Sequence, residues 1–401
     1  MKTVYNGKVI TEEEVLSPGY VVFEKGLITE VCAGDPPDGL KENGIDANGG
    51  WIAPGLVDVH IHGNANCWSF MKKDEILMMA ESLLKNGVTG FLATTVSLPQ
   101  QLIISGIDAI KSAMESQDAG ADYDTLEDTP TPVGSRILGI NLEGPYINPE
   151  HGGAHIPTVI RPSKKEEIDE MLEHANGTIK MMTFAPEIEN GMELIDWLTA
   201  AGIVPVIGHT DATVEQTNAA IDRGASHFTH LFNACRGFHQ REPGCSFAAL
   251  NNPKITVELI FDTKHVHPDA ARIAIKTKSV EGIMLITDAI SAAGLPDGEY
   301  SVWGFPVIVK DGTVKLQDGT IAGSILSLNE AVRNAISILG VTPPEAFRMA
   351  SINGIRKLGL GDKAGSLVPG KVADIALFDA DFNCLKTIIA GKTAYSAASP
   401  A

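Results

Sequence analysis

The chain has 401 residues, of which 44% are hydrophobic and 20% are charged, the composition of an ordinary globular protein with a sizeable core. Its length suits one large domain and a smaller one. A formal net charge of −19 at pH 7 argues against nucleic acid and anionic membranes as partners, because phosphate binding needs clustered Lys and Arg. An anionic small molecule would need a local cationic pocket.

The first residues of the chain lack the apolar core of a signal peptide, and no apolar run is long enough to span a bilayer. The cysteines are odd in number, are scattered and form no Cys-x-x-Cys motif. We therefore expect reduced thiols in a cytoplasmic protein. The five positions are Cys32, Cys67, Cys235, Cys245 and Cys384.

Strand-like segments occupy both ends of the chain. Segments 20–23 and 27–31 flank the turn signal Glu-Lys-Gly at 24–26, which predicts a hairpin. Segments 372–378 and 386–392 have a similar pattern. Because chain termini often lie close together, we predict a small β-sandwich domain built from residues 1–53 and 364–401.

Between residues 54 and 363, short apolar segments alternate with helix-like segments such as 74–86, 166–174, 192–201, 214–223 and 268–277, which is typical of parallel sheets. Eight strand–helix units predict an α/β fold, a (β/α)8 TIM-like barrel. A doubly wound open sheet is the alternative, but its usual Gly-rich phosphate loop after the first strand is missing. The predicted strands are 56–60, 88–94, 137–143, 179–184, 204–209, 227–229, 256–260 and 283–287.

Within the barrel region, segment 116–134 is acidic and has no apolar periodicity. Such a composition favours a solvated connection over a packed element. We predict a surface loop there.

Imidazole and carboxylate side chains lie where several predicted strands end. Barrel enzymes carry their active sites at the C-terminal ends of the strands, so we expect these groups to converge although they are far apart in sequence. Their types suit zinc and similar divalent ions. The six residues are His60, His62, Glu143, His209, His230 and Asp288.

The spacing within this set suggests how a metal would be held. His60 and His62 point to the same side if their strand continues, because side chains repeat every two residues, so both can bind one ion. Glu143 has two oxygens and could bridge to a second ion bound by His209 and His230. Water on such an ion has a pKa near neutrality.

Asp288 is then the candidate general base, and His227 is interpreted as a packing residue or a support behind the ligands. Each motif alone is weak, since a single His-x-His is more often structural and Asp often caps a helix. The joint pattern at strand ends therefore carries the metal-site interpretation.

These motifs resemble those of the amidohydrolase superfamily and, within it, of the N-acetylglucosamine-6-phosphate deacetylases. The resemblance covers nearly the whole chain. Segments 54–63 and 367–374 match motifs found throughout the superfamily. Segments 142–145, 229–234 and 241–244 match motifs that are more specific to the deacetylases.

The resemblance implies that N-acetylglucosamine 6-phosphate and water give glucosamine 6-phosphate and acetate, in amino-sugar catabolism and cell-wall sugar recycling. Metal-activated hydroxide would attack the acetamide carbonyl, and Asp288 would take the proton and pass it to the leaving amine. His155 would polarise the carbonyl, although some members lack a His there. His265 resembles the family's sugar-contacting His.

The resemblance also implies a phosphate site formed by Asn233, the backbone of Ala234, and Arg241. In family members this Arg reaches across from a second subunit, so a homodimer is expected. From the residues alone, Arg241 would be interpreted as a surface Arg before a turn. Arg236 and His239 add local positive charge, and neither is assigned a role.

The metal count is the open point within the family. Some members replace the first His pair with Gln and Asn and hold one ion. Because this chain keeps His60 and His62, we predict two ions bridged by Glu143 and hydroxide. Zn²⁺ is the expected metal, and Fe²⁺, Mn²⁺ or Co²⁺ are alternatives.

Three rival interpretations stay open at this stage. A deacetylase for N-acetylgalactosamine 6-phosphate differs only in the orientation of one substrate hydroxyl. Ring-opening amidohydrolases typically use a carboxylated Lys at the end of strand four, where this chain has Met182-Thr183-Phe184. A non-catalytic scaffold on the same fold would usually have lost its ligands.

Overall fold

The computed structural model describes residues 1–117, 123, 132–302 and 305–398. Most of the predicted acidic loop 116–134 therefore lies outside the described residues. Among the helices that are described, none combines the length and the apolar character that a bilayer crossing requires.

The chain begins with strands that belong to a sheet outside the barrel. The longest of them pair as antiparallel neighbours along Lys2–Ile10, Val15–Glu24 and Leu27–Ala33. These strands are β1 (Lys2–Ile10), β2 (Val15–Glu24), β3 (Leu27–Ala33), β4 (Ile45–Asp46) and β5 (Trp51–Pro54).

Eight parallel strands then form the predicted TIM-like barrel, which is confirmed. Neighbours pair in chain order, and strands such as Leu56–Ile61 are buried along their whole length, as expected of parallel strands covered on both faces. The barrel strands are β6 (Leu56–Ile61), β9 (Val88–Thr94), β10 (Arg136–Glu143), β11 (Ile179–Phe184), β12 (Val204–Ile207), β13 (His227–Phe228), β14 (Thr256–Ile260) and β15 (Ile283–Ile286). A short hairpin of β7 (Gly63–Asn64) and β8 (Cys67–Trp68) follows β6.

Helices follow the barrel strands and cover the outside of the barrel. The five helices predicted by segment agree with the structure to within a few residues. The helices are α1 (Asp38–Lys41), α2 (Lys73–Leu83), α3 (Gln100–Ser116), α4 (Lys165–Ala175), α5 (Gly191–Ala200), α6 (Val214–Arg223), α7 (Cys245–Asn251), α8 (Pro268–Lys278), α9 (Leu328–Asn334), α10 (Pro343–Phe347) and α11 (Asn353–Lys357).

The predicted fifth strand, 204–209, is two residues too long. The extended conformation ends at Ile207, and His209 has a φ of 48° in the left-handed region. Residue hydrophobicity does not show where the backbone leaves the extended conformation, so the sequence analysis predicted a strand that is too long.

An antiparallel sheet that the sequence analysis did not predict follows the last barrel strand. Its strands are β16 (Gly298–Val302), β17 (Phe305–Lys310) and β18 (Thr313–Leu316). Val302, Val307 and Val314 pack with Ile290 in a small core of their own. This insert places Val302 and the segment after β18 above the mouth of the barrel.

The carboxyl-terminal strands β19 (Ile375–Phe378), β20 (Cys384–Ile389) and β21 (Lys392–Ser396) complete the sheet that the first strands began. The strand order is β21-β20-β19-β5-β1-β2-β3, with β4 beside β1. Side chains from these strands, including Phe23, Ile52 and Leu377, pack together in an apolar cluster separate from the barrel core. A small β domain built from both termini is thereby confirmed, and its boundaries at 53/54 and 363/364 stay a prediction.

Asp58 joins the first and last strands of the barrel. Its Oδ2 accepts the Thr287 hydroxyl at 2.6 Å, and its Oδ1 lies 3.4 Å from the Thr287 nitrogen and 3.2 Å from the His60 nitrogen. The Asp288 N–H donates to the His60 carbonyl at 2.9 Å just beyond. Burial raises the pKa of Asp58 to about 7 despite these hydrogen bonds. The junction of the first and last barrel strands, the β6–β15 seam, therefore depends on a buried, fully hydrogen-bonded carboxyl group.

Replacing Asp58 with Ala removes these hydrogen bonds and leaves the Thr287 hydroxyl beside a cavity. We expect the free energy of unfolding to fall by roughly 2–4 kcal/mol. Asp58→Asn keeps the shape and one acceptor oxygen, so it should lose less than half as much. Urea unfolding followed by circular dichroism measures both, and an Asp58→Ala variant as stable as the wild type would contradict this role.

Candidate metal and substrate site

A cavity of about 340 Å³ opens at the C-terminal ends of the barrel strands, a size within the usual range of small-molecule sites. Its lower part is formed by candidate ligands and its upper part by apolar residues of the insert region, including Val302 and Ile321. His60 lies just beneath it and is fully buried. The lining includes His62, Glu143, His155, His209, His230, Asn233, Ala234, His265 and Asp288.

Three of the candidate ligands sit where the chain turns sharply after a strand. The φ values of His209, His230 and Asp288 are 48°, 22° and 50°. Such left-handed backbone in a non-Gly residue costs roughly 1–3 kcal/mol and concentrates at functional sites. These turns direct side chains from strands β12, β13 and β15 into the mouth of the barrel.

Glu143 occupies the centre of the site. Its Oε1 lies 2.9 Å from His230 Nε2, 3.1 Å from His209 Nε2 and 3.4 Å from His60 Nε2. Its Oε2 lies 3.2 Å from His62 Nε2. Oε1 therefore faces His60, His209 and His230, and Oε2 faces His62, so the carboxylate has an oxygen near both pairs of histidines.

Asp288 closes the other side of the first His pair. Its Oδ1 lies 3.1 Å from His62 Nε2 and 3.6 Å from His60 Nε2. Burial alone would raise the pKa of Asp288, but its hydrogen bond to His62 and the nearby imidazoles hold it below its usual value. Asp288 is thus an ionised carboxylate beside the predicted metal position.

The nitrogen positions fit a bound cation. The His209 Nδ1–H donates to the His151 carbonyl at 2.8 Å, so the Nε2 lone pair faces the cavity. His209 Nε2 lies 3.0 Å from His230 Nε2, and His60 Nε2 lies 3.3 Å from His62 Nε2. A tetrahedral ion with Zn–N bonds of about 2.0–2.1 Å holds its ligand nitrogens about 3.3 Å apart. Divalent metal therefore suits both pairs.

His155 also points at Glu143, but its tautomer makes it a donor. Its Nδ1 accepts the Ser97 N–H at 3.0 Å, so a neutral ring carries its proton on Nε2, 3.3 Å from Glu143 Oε2. Burial lowers the pKa of His155 to about 4, so the ring is neutral near pH 7. His155 thus offers an N–H group to the cavity, and we do not place it among the metal ligands.

Of the predicted substrate-binding residues, some line the cavity and one does not. His265 lines the cavity, with its Nδ1 held by Asp262 Oδ2 at 2.6 Å. Asn233 and Ala234 line it as well. Arg241 is exposed and is not part of the cavity wall of its own chain.

The structure also shows the surroundings of Arg236 and His239, to which the sequence analysis assigned no role. Arg236 forms a two-pronged ion pair with Asp211, with N–O distances of 3.0 and 2.6 Å. His239 is exposed, and its Nδ1 lies 3.4 Å from the Arg241 nitrogen. Among the described residues that form the cavity wall, none is Lys or Arg.

Sequence reasoning missed Glu258, which lies behind the ligands. This residue is fully buried in β14, and its carboxylate contacts His60 and His227 at 2.9 and 3.1 Å. The only signal was a carboxylate in the middle of the apolar segment Thr-Val-Glu-Leu-Ile. His227, interpreted above as packing or support, lies on the far side of this carboxylate from His60.

A family model and curated relatives both indicate the amidohydrolase family. A model of the amidohydrolase family matches residues 51–394. The N-acetylglucosamine-6-phosphate deacetylase of Bacillus subtilis (strain 168) is 36% identical over 388 residues, which cover 96% of this chain and 95% of that protein. The N-acetylgalactosamine-6-phosphate deacetylase of Escherichia coli O157:H7 is 34% identical over 389 residues, which cover 96% of this chain and 97% of that protein.

Solved structures agree. A mutant N-acetyl-D-glucosamine-6-phosphate deacetylase from Mycobacterium smegmatis, in complex with N-acetyl-D-glucosamine 6-phosphate, is similar with a TM-score of 0.89 and 31% identity, covering 98% of this chain and 99% of that one. The N-acetylglucosamine-6-phosphate deacetylase from Thermotoga maritima has a TM-score of 0.86 and 33% identity, covering 98% of this chain and 100% of that one.

We expect metal binding to the metal-free protein to release protons. Burial alone would lower the pKa of His62, but hydrogen bonds to Asp288 and Glu143 raise it to about 9. An ion must then displace this proton near neutral pH, so affinity should fall about tenfold per pH unit below 9 for each proton released. Calorimetric titration in buffers of different ionisation enthalpy counts the protons. An affinity that is constant from about pH 6 to about pH 9 would contradict this expectation.

Proposed function

The chain belongs to the amidohydrolase family, a family of metal-dependent hydrolases, and we propose that it converts N-acetyl-D-glucosamine 6-phosphate and water into D-glucosamine 6-phosphate and acetate. The observation that carries this proposal is the convergence, in one cavity, of the cluster around Glu143, the carboxylate of Asp288 and the N–H group of His155. Relatives with this activity are similar to the chain over nearly its whole length.

We propose that two ions occupy this cluster. His60, His62 and Asp288 would hold one. His209 and His230 would hold the other, with Glu143 shared between the two. The mixed nitrogen and oxygen set suits Zn²⁺ best, and Fe²⁺, Mn²⁺ or Co²⁺ are alternatives. A bound divalent ion supplies Lewis acidity, which lowers the pKa of water and polarises a carbonyl oxygen.

Asp288 is proposed to move the proton in this reaction. Its pKa lies below the usual range, so the carboxylate is ionised, and its oxygen that does not hold the ion can accept a proton from the attacking water. The amine of the substrate is a poor leaving group until its nitrogen is protonated. The same carboxyl group, once protonated, is placed to return that proton to the nitrogen.

His155 is proposed to stabilise the carbonyl oxygen as negative charge develops on it. The ring is neutral, because its pKa is lowered to about 4 by burial, and the Ser97 N–H keeps its proton on Nε2. A fixed donor of this kind favours the transition state over the ground state when it is aimed at the developing charge. His265, anchored by Asp262, is proposed to contact the sugar.

Recognition of the phosphate is proposed to need a second copy of the chain. The φ values of His230, Phe232 and Ala234 are 22°, 78° and 46°, and left-handed residues at alternating positions favour backbone N–H groups that face an anion. The amide of Asn233 is the other candidate contact. Because no Lys or Arg lies among the described residues of the cavity wall, we propose a homodimer in which Arg241 serves the neighbouring site.

The N-acetylgalactosamine-6-phosphate activity is the second candidate, because the Escherichia coli relative with that activity is 34% identical to the chain. A ring-opening activity is disfavoured, since β11 ends at Phe184 without a Lys and Glu143 supplies the shared carboxylate. For location, we propose a reducing cytoplasm, which is supported by the free thiols of all five cysteines.

Acetate release from a panel of sugars after metal reconstitution tests the proposed reaction. We expect turnover of N-acetylglucosamine 6-phosphate, at least tenfold less of its N-acetylgalactosamine counterpart, and little with either sugar lacking phosphate. Asp288→Asn should reduce kcat by 10²-fold or more. A preference for the galactosamine substrate would establish the second candidate. If the protein showed neither bound metal nor turnover, a non-catalytic scaffold would be favoured.

A hybrid dimer tests the role of Arg241. Arg241→Ala should raise KM for the phosphorylated substrate with little loss for a phosphate-free one, because it removes a phosphate contact. A hybrid of Arg241→Ala and Asp288→Asn chains, isolated with two different tags, would contain one complete site and should recover about half of the wild-type activity. A hybrid as inactive as its parents at low substrate would rule out this arrangement.

A further inference from the structure

Glu258 is a buried carboxylate that the proposed reaction does not use. It lies in the middle of β14, its side chain is fully buried, and its Oε2 accepts the Thr229 hydroxyl at 2.7 Å and the His230 N–H at 3.0 Å. The same oxygen lies 2.9 Å from His60 Nδ1. Because a buried unpaired charge would cost several kcal/mol, a residue with this many donors indicates an organised site.

The contact with His60 fixes the tautomer of that ring. A carboxylate can only accept, so the Nδ1–H of His60 donates to Glu258 and the lone pair remains on Nε2. That Nε2 is the atom 3.3 Å from His62 Nε2 and 3.6 Å from Asp288 Oδ1. Partners that act on a ligating His in this way typically change metal affinity by about 10–100-fold.

Glu258 also fixes the backbone of the second group of ligands. The N–H that it accepts belongs to His230, whose φ of 22° needs support from its surroundings. The carbonyl of Glu258 accepts the Leu231 N–H at 2.9 Å as well. One residue thus touches the side chain of a ligand in one predicted ion site and the backbone of a ligand in the other.

We propose that Glu258 is a positioning residue that keeps His60 ready to bind metal and so determines the occupancy of the ion site formed by His60, His62 and Asp288. The inference rests on the proposed function only in requiring that ions bind at these residues. The effect on His60 acts through its ring, whereas the effect on His230 acts only through a backbone that other hydrogen bonds also hold. Loss of Glu258 should therefore weaken the first ion much more than the second.

The chain offers a mild variant and a matched control. In Glu258→Gln, the amide oxygen can keep the Oε2 contacts, and the amide nitrogen can donate to His227 Nε2 if that ring moves its proton to Nδ1, 2.7 Å from Thr256 Oγ1. The shape and the His60 tautomer then remain, and the variant removes only the negative charge that raises the basicity of His60 Nε2. His227→Gln disturbs the same buried region from the opposite side, without touching a proposed ligand directly.

Metal titration of the metal-free full chain with Co²⁺, followed by visible absorption and elemental analysis, is the test. We expect two ions in the wild type, a 10–100-fold weaker first site in Glu258→Gln with the other within about threefold of wild type, and two normal sites in His227→Gln. Unchanged affinities in Glu258→Gln, or equal losses in both variants, would overturn the inference.

Two measurements distinguish a failure of the Glu258 inference from a failure of the two-ion proposal and from misfolding of the variant. A wild type that binds one ion at full activity would refute the two-ion proposal, and the inference about Glu258 falls with it. If Glu258→Gln does not fold, Glu258→Asp retains the charge but withdraws it from His60 Nδ1, and should show the same selective loss. An Asp variant with two unweakened sites would overturn the inference in the same way.

Discussion

The attraction between Glu143 and the imidazoles around it is the interaction on which the site depends. Its side chain is only 4% exposed, and the cost of burying such a charge is several kcal/mol unless it is neutralised. In the metal-free protein, protonated imidazoles neutralise this charge, since the pKa of His62 is raised to about 9. Unprotonated nitrogens 3.0 Å apart, as in His209 and His230, would direct their lone pairs at each other. A bound divalent cation would replace these protons and occupy the space between the lone pairs, so metal binding and the burial of Glu143 are expected to be coupled.

A rigid framework is needed to hold these groups in place. The left-handed backbone at His209, His230 and Asp288 is unfavourable by itself, so each residue is tied down by another element. The His151 carbonyl holds the first, Glu258 holds the second, and the β6–β15 seam holds the third through the His60 carbonyl. Strain at the strand ends is therefore accompanied by hydrogen bonds from the loop after β10 at His209 and from the barrel strands β14 and β6 at His230 and Asp288.

The sequence predicted the barrel and the converging ligands because both follow from periodic or positional rules. Apolar segments of regular spacing predict parallel strands, and polar groups at their ends, such as Glu143, must meet at one face. Glu258 escaped notice because a carboxylate inside a strand carries no sign of which face it occupies. The 298–316 insert was missed because its short strands follow the eighth unit, where the barrel pattern ends.

The role proposed for Arg241 could not be predicted from residue patterns alone, since an Arg that served a neighbouring subunit would resemble any other exposed Arg. The charge balance gives it meaning. A chain with a net charge of −19 repels a phosphorylated sugar at long range, and its own described cavity wall offers histidines and backbone N–H groups but no Lys or Arg. The proposed arrangement would supply the missing positive charge from bound ions and from Arg241 of a second chain. Binding of the substrate is therefore expected to be coupled to both metal occupancy and assembly, because each supplies charge that the isolated polypeptide lacks.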